Sequence, residues 1–308
     1  MDKKDLLLIV NPNASKKKGK KKAHSVRSLF LERGRYAAIA YTYYKGHAAE
    51  IAEKGCRYGY KNIIAVGGDG TVNEVLNGIL RSGYGGKVRM GIVPVGRGND
   101  FAWIAGIPTD TVKAVDLICS GSAKETDAGL CQGTDCEDGL YFFNGAGFGF
   151  EPMVNFKATE FKHVNGMPSY VLAFLHILFH LPRPVETRFV IDGEEDKVDT
   201  QQISVCNGRR MGSTFIMAPL AQLDDGLLDC VYTNCPIRTK AGLIRTVLSF
   251  FLKAQPRDER HFTYRKAKRI RITMEGGAMD AHADGEEVSR KGVRFEVSVV
   301  PSAIMLMR

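Results

Sequence analysis

A glycine-rich acidic loop is the clearest candidate for chemistry in this chain. Residues 67–71 read Gly-Gly-Asp-Gly-Thr and directly follow the short apolar run 63–66. Glycines let the backbone approach a ligand, so successive N–H groups can point at phosphate oxygens. Asp69 would repel a phosphate unless a cation lay between them, which implies Mg²⁺ binding or proton transfer. The alternative is a tight strand-to-helix turn in which Asp69 or Thr71 caps the helix.

Two further polar loops follow apolar runs in the same way. Residues 11–13 read Asn-Pro-Asn after an apolar run, and residues 96–100 read Gly-Arg-Gly-Asn-Asp after another. Apolar residues at helical spacing over 72–80 separate two of these runs. Strands that alternate with helices indicate a largely parallel, doubly wound sheet. Because chemistry in such sheets lies at the carboxyl ends of the strands, we expect the three loops to share one edge.

The sequence pattern changes near residue 127. Short β-rich runs broken by Gly, Asp and Asn follow, with helical insertions at 168–181 and 238–252. They indicate an antiparallel sheet or sandwich, and 308 residues are enough for two domains. The predicted fold class is α/β with two domains. An N-terminal, doubly wound, mostly parallel sheet covers 1–127, and a C-terminal, antiparallel, β-rich, sandwich-like domain covers 128–301.

Composition narrows the partners of the protein. Lys and Arg number 43 against 34 Asp and Glu, and the resulting charge of +9 favours nucleotide phosphates, nucleic acid or an acidic membrane surface. Six lysines lie between positions 16 and 22, either as a solvated segment or as a phosphate or headgroup contact. No basic-aromatic pattern accompanies them, so we expect no nucleic-acid partner. Seven cysteines without a CxxC pair predict free thiols in a reducing compartment.

Several common architectures are disfavoured. No stretch approaches the roughly 20 apolar residues that span a bilayer, and the N-terminus does not resemble a signal peptide, so we expect a cytoplasmic protein. No GxxxxGK[ST] motif occurs, which argues against a P-loop. The run 145–149, Gly-Ala-Gly-Phe-Gly, lacks the third glycine at Rossmann spacing, so a dinucleotide site there is disfavoured.

An ordered set of motifs is similar to one known family. The motifs are Val-Asn-Pro-Asn at 10–13, Gly-Gly-Asp-Gly-Thr-Val-Asn-Glu at 67–74, Gly-Ile-Val-Pro-Val-Gly-Arg-Gly-Asn-Asp-Phe-Ala at 91–102, Asn-Gly-Ala-Gly-Phe-Gly at 144–149, Asp-Gly-Leu-Leu-Asp at 225–229 and Asp-Gly-Glu at 284–286. Gly-Gly-Asp-Gly-Thr alone is shared with NAD kinases and phosphofructokinases. The whole set resembles the diacylglycerol-kinase-like lipid kinases, which include bacterial diacylglycerol kinases and sphingosine kinases.

The resemblance implies an ATP- and Mg²⁺-dependent kinase that phosphorylates a lipid hydroxyl, with diacylglycerol as the first expectation. The alternatives are a sphingoid or other lipid alcohol, NAD as the acceptor, or a catalytically silent lipid- or nucleotide-binding regulator. The implied partners are the lipid substrate and an anionic membrane surface, with peripheral association at the inner face of the membrane. The pattern is also compatible with a homodimer.

The resemblance also assigns residues to the site. In the turn 284–286, Glu286 is the expected proton acceptor and Asp284 its rival, although a plain hairpin turn fits the same residues. Asp69 and Asp100 would organise Mg²⁺, with Asp127 as a third carboxylate. A second Mg²⁺ site would use the Asp225 side chain and the carbonyls of Gln222 and Leu227; a plain hairpin is the alternative. The residues expected to meet the nucleotide are Asn11, Pro12, Asn13, Thr42, Gly67, Gly68, Asp69, Gly70, Thr71, Val72, Asn73, Arg97, Asn99 and Asp100.

Several features leave the acceptor open. Arg97 stands where the family often has a small residue or threonine, so its guanidinium could contact phosphate. The helix at 168–181 is either a buried core helix, an acyl-chain lip or a shallow membrane-contacting helix. The last strand, about 302–308, is expected to return to the N-terminal domain by resemblance. A second basic region suits anionic headgroups or a solvated face equally and comprises Arg257, Arg260, Arg265, Lys266, Lys268 and Arg269.

Overall fold

The computed structural model describes residues 4–14, 19–96, 98–161, 167–179, 182–211, 215–253 and 261–308. Its first part alternates strands and helices, as the apolar runs predict. The strands over 6–10 and 62–67 are fully buried, and the strand over 89–94 is buried after its exposed first residue. The elements are β1 (Leu6–Val10), α1 (Gly19–Glu32), β2 (Ala37–Tyr41), α2 (His47–Arg57), β3 (Asn62–Gly67), α3 (Asp69–Arg81), β4 (Arg89–Pro94), α4 (Asp100–Ile104) and α5 (Thr111–Ser120).

The register of the parallel strands determines where the polar loops lie. The strand order is β2-β1-β3-β4, and all of these pairs are parallel. Val10 pairs with both Tyr41 and Val66, and Val66 pairs with Val93. The loops that follow these strands therefore begin at one level of one sheet edge. The mostly parallel N-terminal sheet is confirmed.

The second part of the chain is rich in antiparallel strands, which confirms the predicted fold class. The elements are β5 (Lys124–Gly133), β6 (Cys136–Phe142), β7 (Gly145–Gly149), α6 (Phe150–Glu160), α7 (Met167–Phe179), β8 (Val185–Ile191), β9 (Glu194–Thr200), β10 (Gln202–Cys206), β11 (Arg210–Met211), β12 (Phe215–Ile216), β13 (Leu228–Thr233), α8 (Lys240–Lys253), β14 (Phe262–Ala267), β15 (Arg269–Met274), β16 (Met279–Ala283), β17 (Glu286–Gly292) and β18 (Arg294–Leu306). One sheet has the order β14-β13-β10-β7-β16-β17, and its apolar face packs with β8, β15 and part of β18 in a shared core.

Two long strands join the halves of the molecule. β18 pairs with β15 and β5 along its length, and its end returns to the first sheet, where Met305 and Leu306 lie parallel to Arg89 and Met90 of β4. β5 runs beside β18 from Lys124 to Gly133, so the predicted boundary at 127/128 falls inside a strand. The halves are therefore linked by continuous hydrogen-bonded strands.

The helical insertion α7 is only half buried. Ala173 and Ile177 face the protein, whereas Val171, Leu175 and Phe179 are exposed. Of the three alternatives for this helix, a buried core helix therefore does not fit the exposed face; His180 and Leu181 lie outside the described residues. Within the described ranges, no helix combines the length and hydropathy needed to cross a bilayer.

Candidate functional site

The loops after β3 and β4 pack backbone against backbone. A Cβ atom on Gly96 would lie 2.5 Å from the Cα of Gly68, and one on Gly68 would lie 3.1 Å from the Cα of Gly96. Only residues without side chains allow this approach. Gly68 also precedes the 13-residue helix α3, whose first amides and positive dipole end lie at the same place. The arrangement suits an anionic group such as a nucleotide phosphate.

Asn99 holds the shape of the second loop. Its backbone is in the left-handed region, with φ of 50°. Its side-chain Oδ1 accepts a hydrogen bond from the Gly96 N–H at 3.0 Å, and its Nδ2 donates to the Gly96 carbonyl at 3.1 Å. Both polar atoms of the Asn99 side chain, which was predicted to contact the nucleotide, are thus engaged by Gly96 within the loop. Arg97, predicted to contact phosphate, lies outside the described residues.

The residues after β1 and β2 complete the same edge. The Asn11 amide donates to the Val66 carbonyl at 3.2 Å, and Asn11 Oδ1 accepts from the Asn13 amide at 2.9 Å. The Thr42 amide donates to the Val10 carbonyl at 2.9 Å, and Thr42 is buried. The structure brings these predicted nucleotide residues to the strand ends beside the glycine loop, and Pro12 lies in the same turn.

Two acidic side chains lie at the starts of adjacent helices. Burial raises the pKa of Asp69, the negative charge of Asp100 raises it further, and the Phe101 amide, which donates to Asp69 Oδ1 at 3.3 Å, opposes both. Asp100 pairs with Arg210, with 2.9 Å between its Oδ1 and the arginine Nε. The Arg210 guanidinium also lies over the Trp103 ring. Close carboxylates that repel each other are the donor set that a divalent cation stabilises.

The described residues contain no group of three or more His, Cys, Asp or Glu side chains arranged to hold a metal. Mg²⁺ is commonly held by one or two carboxylates together with substrate phosphates and water. Asp69 and Asp100 fit that kind of site, in which the phosphates supply the remaining oxygens.

Asn73 connects the glycine loop to the second half of the molecule. It is 2% exposed, and its Nδ2 donates to the Tyr141 carbonyl at 2.9 Å and to Asp284 Oδ2 at 3.1 Å. Thr71 and Val72, in the same helical turn, are also buried. The Asn73 side-chain amide therefore bridges the two halves, and the predicted contact of Asn73 with the nucleotide stays a prediction.

The Asp-Gly-Glu turn is both a hairpin and a site element. Ala283 pairs with Glu286, and the two residues between them have φ of 49° and 87°. The Asp284 carboxylate accepts hydrogen bonds from the amides of Phe143, Asn144 and Gly145 at 2.8–3.1 Å, in addition to that from Asn73. Burial raises the pKa of Asp284, and these hydrogen bonds oppose the rise. Asp284 is locked into the fold.

Glu286 differs from Asp284 because its carboxylate is accessible. Its side chain is 27% exposed and its Oε2 lies 2.6 Å from the Nζ of Lys45, which is 78% exposed. The Glu286 hydrogen bond raises the pKa of Lys45. A Cβ atom on Gly70 would lie 3.8 Å from Glu286 Oε1. The turn thus places Glu286 against the start of α3, across from the glycine loop.

The Asp127 carboxylate is hydrogen-bonded to backbone amides of distant segments of the chain. Its Oδ1 accepts from the Ser302 amide and its Oδ2 from the Gly226 amide, both at 2.7 Å. It is buried at the irregularity where β5 and β18 change register. These contacts indicate a structural role for a carboxylate that was predicted to be a third Mg²⁺ ligand.

At the predicted second metal site, a lysine side chain already pairs with Asp225. Asp225 Oδ2 lies 2.6 Å from Lys266 Nζ, and its Oδ1 accepts from the Leu227 amide at 3.1 Å. Gln222 is exposed on the same loop. A Mg²⁺ ion at Asp225 would have to displace the lysine. The loop is not a hairpin either, because β13, which follows it, pairs with β10 and β14.

Sequence reasoning missed two cations of the site. Lys45 follows β2 and pairs with Glu286, and Arg210 follows the Asn207-Gly208 segment and pairs with Asp100. The available signal was position alone: each basic residue follows a strand whose neighbours carry site loops. Nothing in the spacing identified their acidic partners.

Two family models match most of this chain. The diacylglycerol kinase catalytic domain model matches residues 5–131, and the YegS C-terminal NAD kinase beta sandwich-like domain model matches residues 145–308. A diacylglycerol kinase of Bacillus subtilis is 30% identical over 283 residues, which cover 91% of this chain and 88% of the relative. A probable lipid kinase YegS-like protein of Pseudomonas aeruginosa is 29% identical, covering 97% and 93%.

Solved structures show the same fold. A putative diacylglycerol kinase from Bacillus anthracis superposes with a TM-score of 0.76 at 21% identity, covering 100% of this chain and 98% of that one. A yeast NADH kinase complexed with NADH gives 0.51 at 11% identity, covering 99% and 83%. Since the two domain models and a relative at 30% identity extend over most of its length, the chain belongs to the diacylglycerol kinase-like lipid kinase family and is a phosphotransferase with an alcohol group as acceptor.

Proposed function

We propose that this protein transfers the γ-phosphate of ATP, with Mg²⁺, to the hydroxyl of diacylglycerol, giving phosphatidic acid. Membership in a kinase family implies ATP use. The observation that carries the proposal is the position of Glu286, on a turn of the second half, beside Gly70 at the start of α3. A carboxylate there can receive a proton from an alcohol that attacks a phosphate held by the glycine loop.

The chain's own residues have separate tasks in this proposal. The α3 amides and the close-packed glycines bind phosphate oxygens, and Asp69 and Asp100 would hold Mg²⁺. Bound Mg²⁺ would neutralise phosphate charge and orient the terminal group. Glu286 takes the hydroxyl proton. Asp284 does not compete for this role because backbone amides and Asn73 already engage both of its oxygens.

The experiment presents radiolabelled ATP and Mg²⁺ with diacylglycerol micelles, sphingosine micelles or NAD. We expect phosphorylated diacylglycerol from the wild type, and a loss of about 10²–10⁴ in kcat for Glu286→Gln. Asp69→Asn should abolish transfer while the protein remains folded. Phosphorylated NAD without phosphorylated lipid would replace the proposal with NAD kinase activity. Binding of lipid and nucleotide without transfer to any acceptor would indicate a silent regulator.

We also propose that α7 brings the enzyme to an anionic membrane surface. Leu172, Leu175 and Phe179 on α7 are 40%, 45% and 71% exposed, and Leu248 on the neighbouring α8 is 49% exposed. Lys240 of α8 lies 5.0 Å from the Phe179 ring centre. Neither helix contains an acidic residue. Apolar side chains beside cations, on two helices that carry no acidic residue, suit the headgroup region of an anionic bilayer.

Sedimentation with vesicles tests this membrane contact. We expect the wild type to bind phosphatidylglycerol vesicles more tightly than phosphatidylcholine vesicles, and Leu175→Glu to weaken binding about tenfold or more. Val293→Glu, which adds the same charge at an exposed position between β17 and β18, is the control. Equal binding of both variants would rule out α7 as the contact.

A further inference from the structure

Side chains hold both polar backbone groups of the residue that precedes Glu286. The Gly285 N–H donates to His282 Nδ1 at 3.2 Å, and the Gly285 carbonyl accepts from Asn155 Nδ2 at 3.1 Å. The φ of Gly285 is 87°, which a residue with a side chain rarely adopts. Since Asp284 is fixed on the other side, the backbone leading into Glu286 has little freedom to rotate.

The hydrogen bond from Gly285 determines the tautomer of His282. A backbone N–H can only donate, so Nδ1 carries no proton and the proton of the neutral ring lies on Nε2. His282 Nε2 faces Glu151 Oε1 at 3.2 Å, and the histidine is 3% exposed. Glu151 can therefore accept from the ring and keep Nδ1 available as an acceptor. This arrangement orients the imidazole towards the turn.

Glu151 is itself fixed by the sheet beneath it. Its Oε2 lies 3.3 Å from Gln202 Nε2 and 3.4 Å from Ser204 Oγ, and its amide donates to Gln202 Oε1 at 2.7 Å. A Cβ atom on Gly147 would lie 2.8 Å from Glu151 Oε2 and 3.0 Å from His282 Nε2. Glycine at position 147 thus leaves room for the pair, which gives the glycine-rich run 145–149 a role that dinucleotide binding does not.

Asn155 approaches the turn from the same helix as Glu151. The two residues are four apart on α6 and therefore lie on one face of it. Asn155 Oδ1 accepts a hydrogen bond from the Tyr170 hydroxyl at 3.1 Å, so its Nδ2 is directed at Gly285. One face of α6 thus reaches Gly285 by two routes: Asn155 contacts it directly, and Glu151 contacts it through His282.

We propose that His282 and Asn155 are positioning residues that clamp Gly285 and aim the Glu286 carboxylate at the acceptor hydroxyl. The proposal rests on the proposed function of Glu286. A displacement of about 1 Å in a reacting group can cost about 10²-fold in rate. Loss of either clamp should lower kcat while leaving nucleotide binding intact, because neither side chain touches the glycine loop in the described contacts.

Two substitutions at His282 separate positioning from packing. Asparagine places its Oδ1 near the position of the histidine Nδ1, so His282→Asn keeps an acceptor for Gly285 and gives up the contact with Glu151. Glutamine reaches the position of Nε2, so His282→Gln keeps the contact with Glu151 and loses the acceptor. We expect His282→Gln to lose about 10–100-fold in kcat with KM for ATP within about twofold, and His282→Asn to stay within about threefold of wild-type kcat.

Asn155→Asp gives an independent measurement on the other clamp. It keeps the acceptor for Tyr170 and replaces the donor to Gly285 by an oxygen, which repels the Gly285 carbonyl. We expect a fall in kcat of about tenfold or more, again with little change in KM for ATP. This variant decides the question if His282→Gln fails to give a wild-type circular dichroism spectrum.

The outcomes separate this proposal from the proposed function. Equal loss in His282→Asn and His282→Gln, or full kcat in both His282→Gln and Asn155→Asp, would overturn the clamp. Full activity of Glu286→Gln would instead overturn the catalytic assignment of Glu286, whatever the other variants show. The expected pattern is an inactive Glu286→Gln, impaired His282→Gln and Asn155→Asp, and a nearly wild-type His282→Asn.

Discussion

Substitutions of the two carboxylates of the 284–286 turn should have different effects: at Asp284 they should lower stability, and at Glu286 they should lower activity. Asp284→Asn keeps the shape of the side chain but turns one acceptor oxygen into an NH₂ group. Either orientation leaves two N–H groups without an acceptor, for example that of the Phe143 amide and one of the two on Asn73 Nδ2, whose other N–H still faces the Tyr141 carbonyl. Each buried unsatisfied donor costs about 1–3 kcal/mol, so the loss is about 2–6 kcal/mol.

Burial of the charge places the expected value in the lower half of that range. Because burial raises the pKa of Asp284, the ionised group is costly in the folded state and a neutral amide avoids part of this cost. We therefore expect Asp284→Asn to lower the free energy of unfolding by about 2–3 kcal/mol. Glu286→Gln, which removes an exposed ion pair with Lys45, should change it by less than about 1 kcal/mol.

Urea unfolding followed by circular dichroism, together with the lipid kinase assay, tests this separation. We expect an unstable Asp284→Asn and a stable, inactive Glu286→Gln. An Asp284→Asn variant as stable as the wild type but inactive would show that Asp284 takes part in the reaction. Equal destabilisation by both substitutions would show that the two side chains share one structural role.

Three further predictions concern the loops and the thiols. Burial raises the pKa of Asp69 above its usual 3.8, so the ionised side chain destabilises the folded protein and the free energy of unfolding falls as pH rises from 3.8 through the native pKa. In urea titrations across pH, Asp69→Asn should therefore be more stable than the wild type at pH 7 and equal to it below pH 3.8. Gly96→Ala forces a Cβ against the neighbouring loop and should cost about 1–3 kcal/mol, whereas Gly86→Ala, which meets nothing within 4 Å, should not. Burial raises the pKa of Cys230 to about 12 while Cys235 is exposed, so a thiol reagent at pH 8 should label Cys235 alone of the two; Cys230 labelled in folded protein by mass spectrometry would contradict this.

The strands and loops of the N-terminal half were predictable from local patterns. Apolar runs ended by Gly, Asn or Asp are self-contained signals, and parallel register then brings their ends together without further information. The choice between Asp284 and Glu286 was not predictable, since it depends on amides at 143–145 that are about 140 residues away in the chain. The partners of Lys45 and Arg210 were hidden for the same reason.

The domain boundary illustrates another limit of pattern reading. The composition changes near residue 127, yet β5 continues through it because its partner β18 lies some 170 residues later. The resemblance to the family implied that Asp127 was a third Mg²⁺ ligand. Its bonds to Ser302 and Gly226 arise only from long-range pairing.

The path of β18 has a consequence for how the protein is made. Met305 and Leu306 supply the strand beside β4, so this edge of the N-terminal sheet stays open until residues 305 and 306 have left the ribosome. An unpaired edge invites wrong partners, and contacts this distant in sequence form slowly. The half that carries the glycine loop should therefore complete its sheet only after residues 305 and 306 have been synthesised, together with the half that carries Glu286.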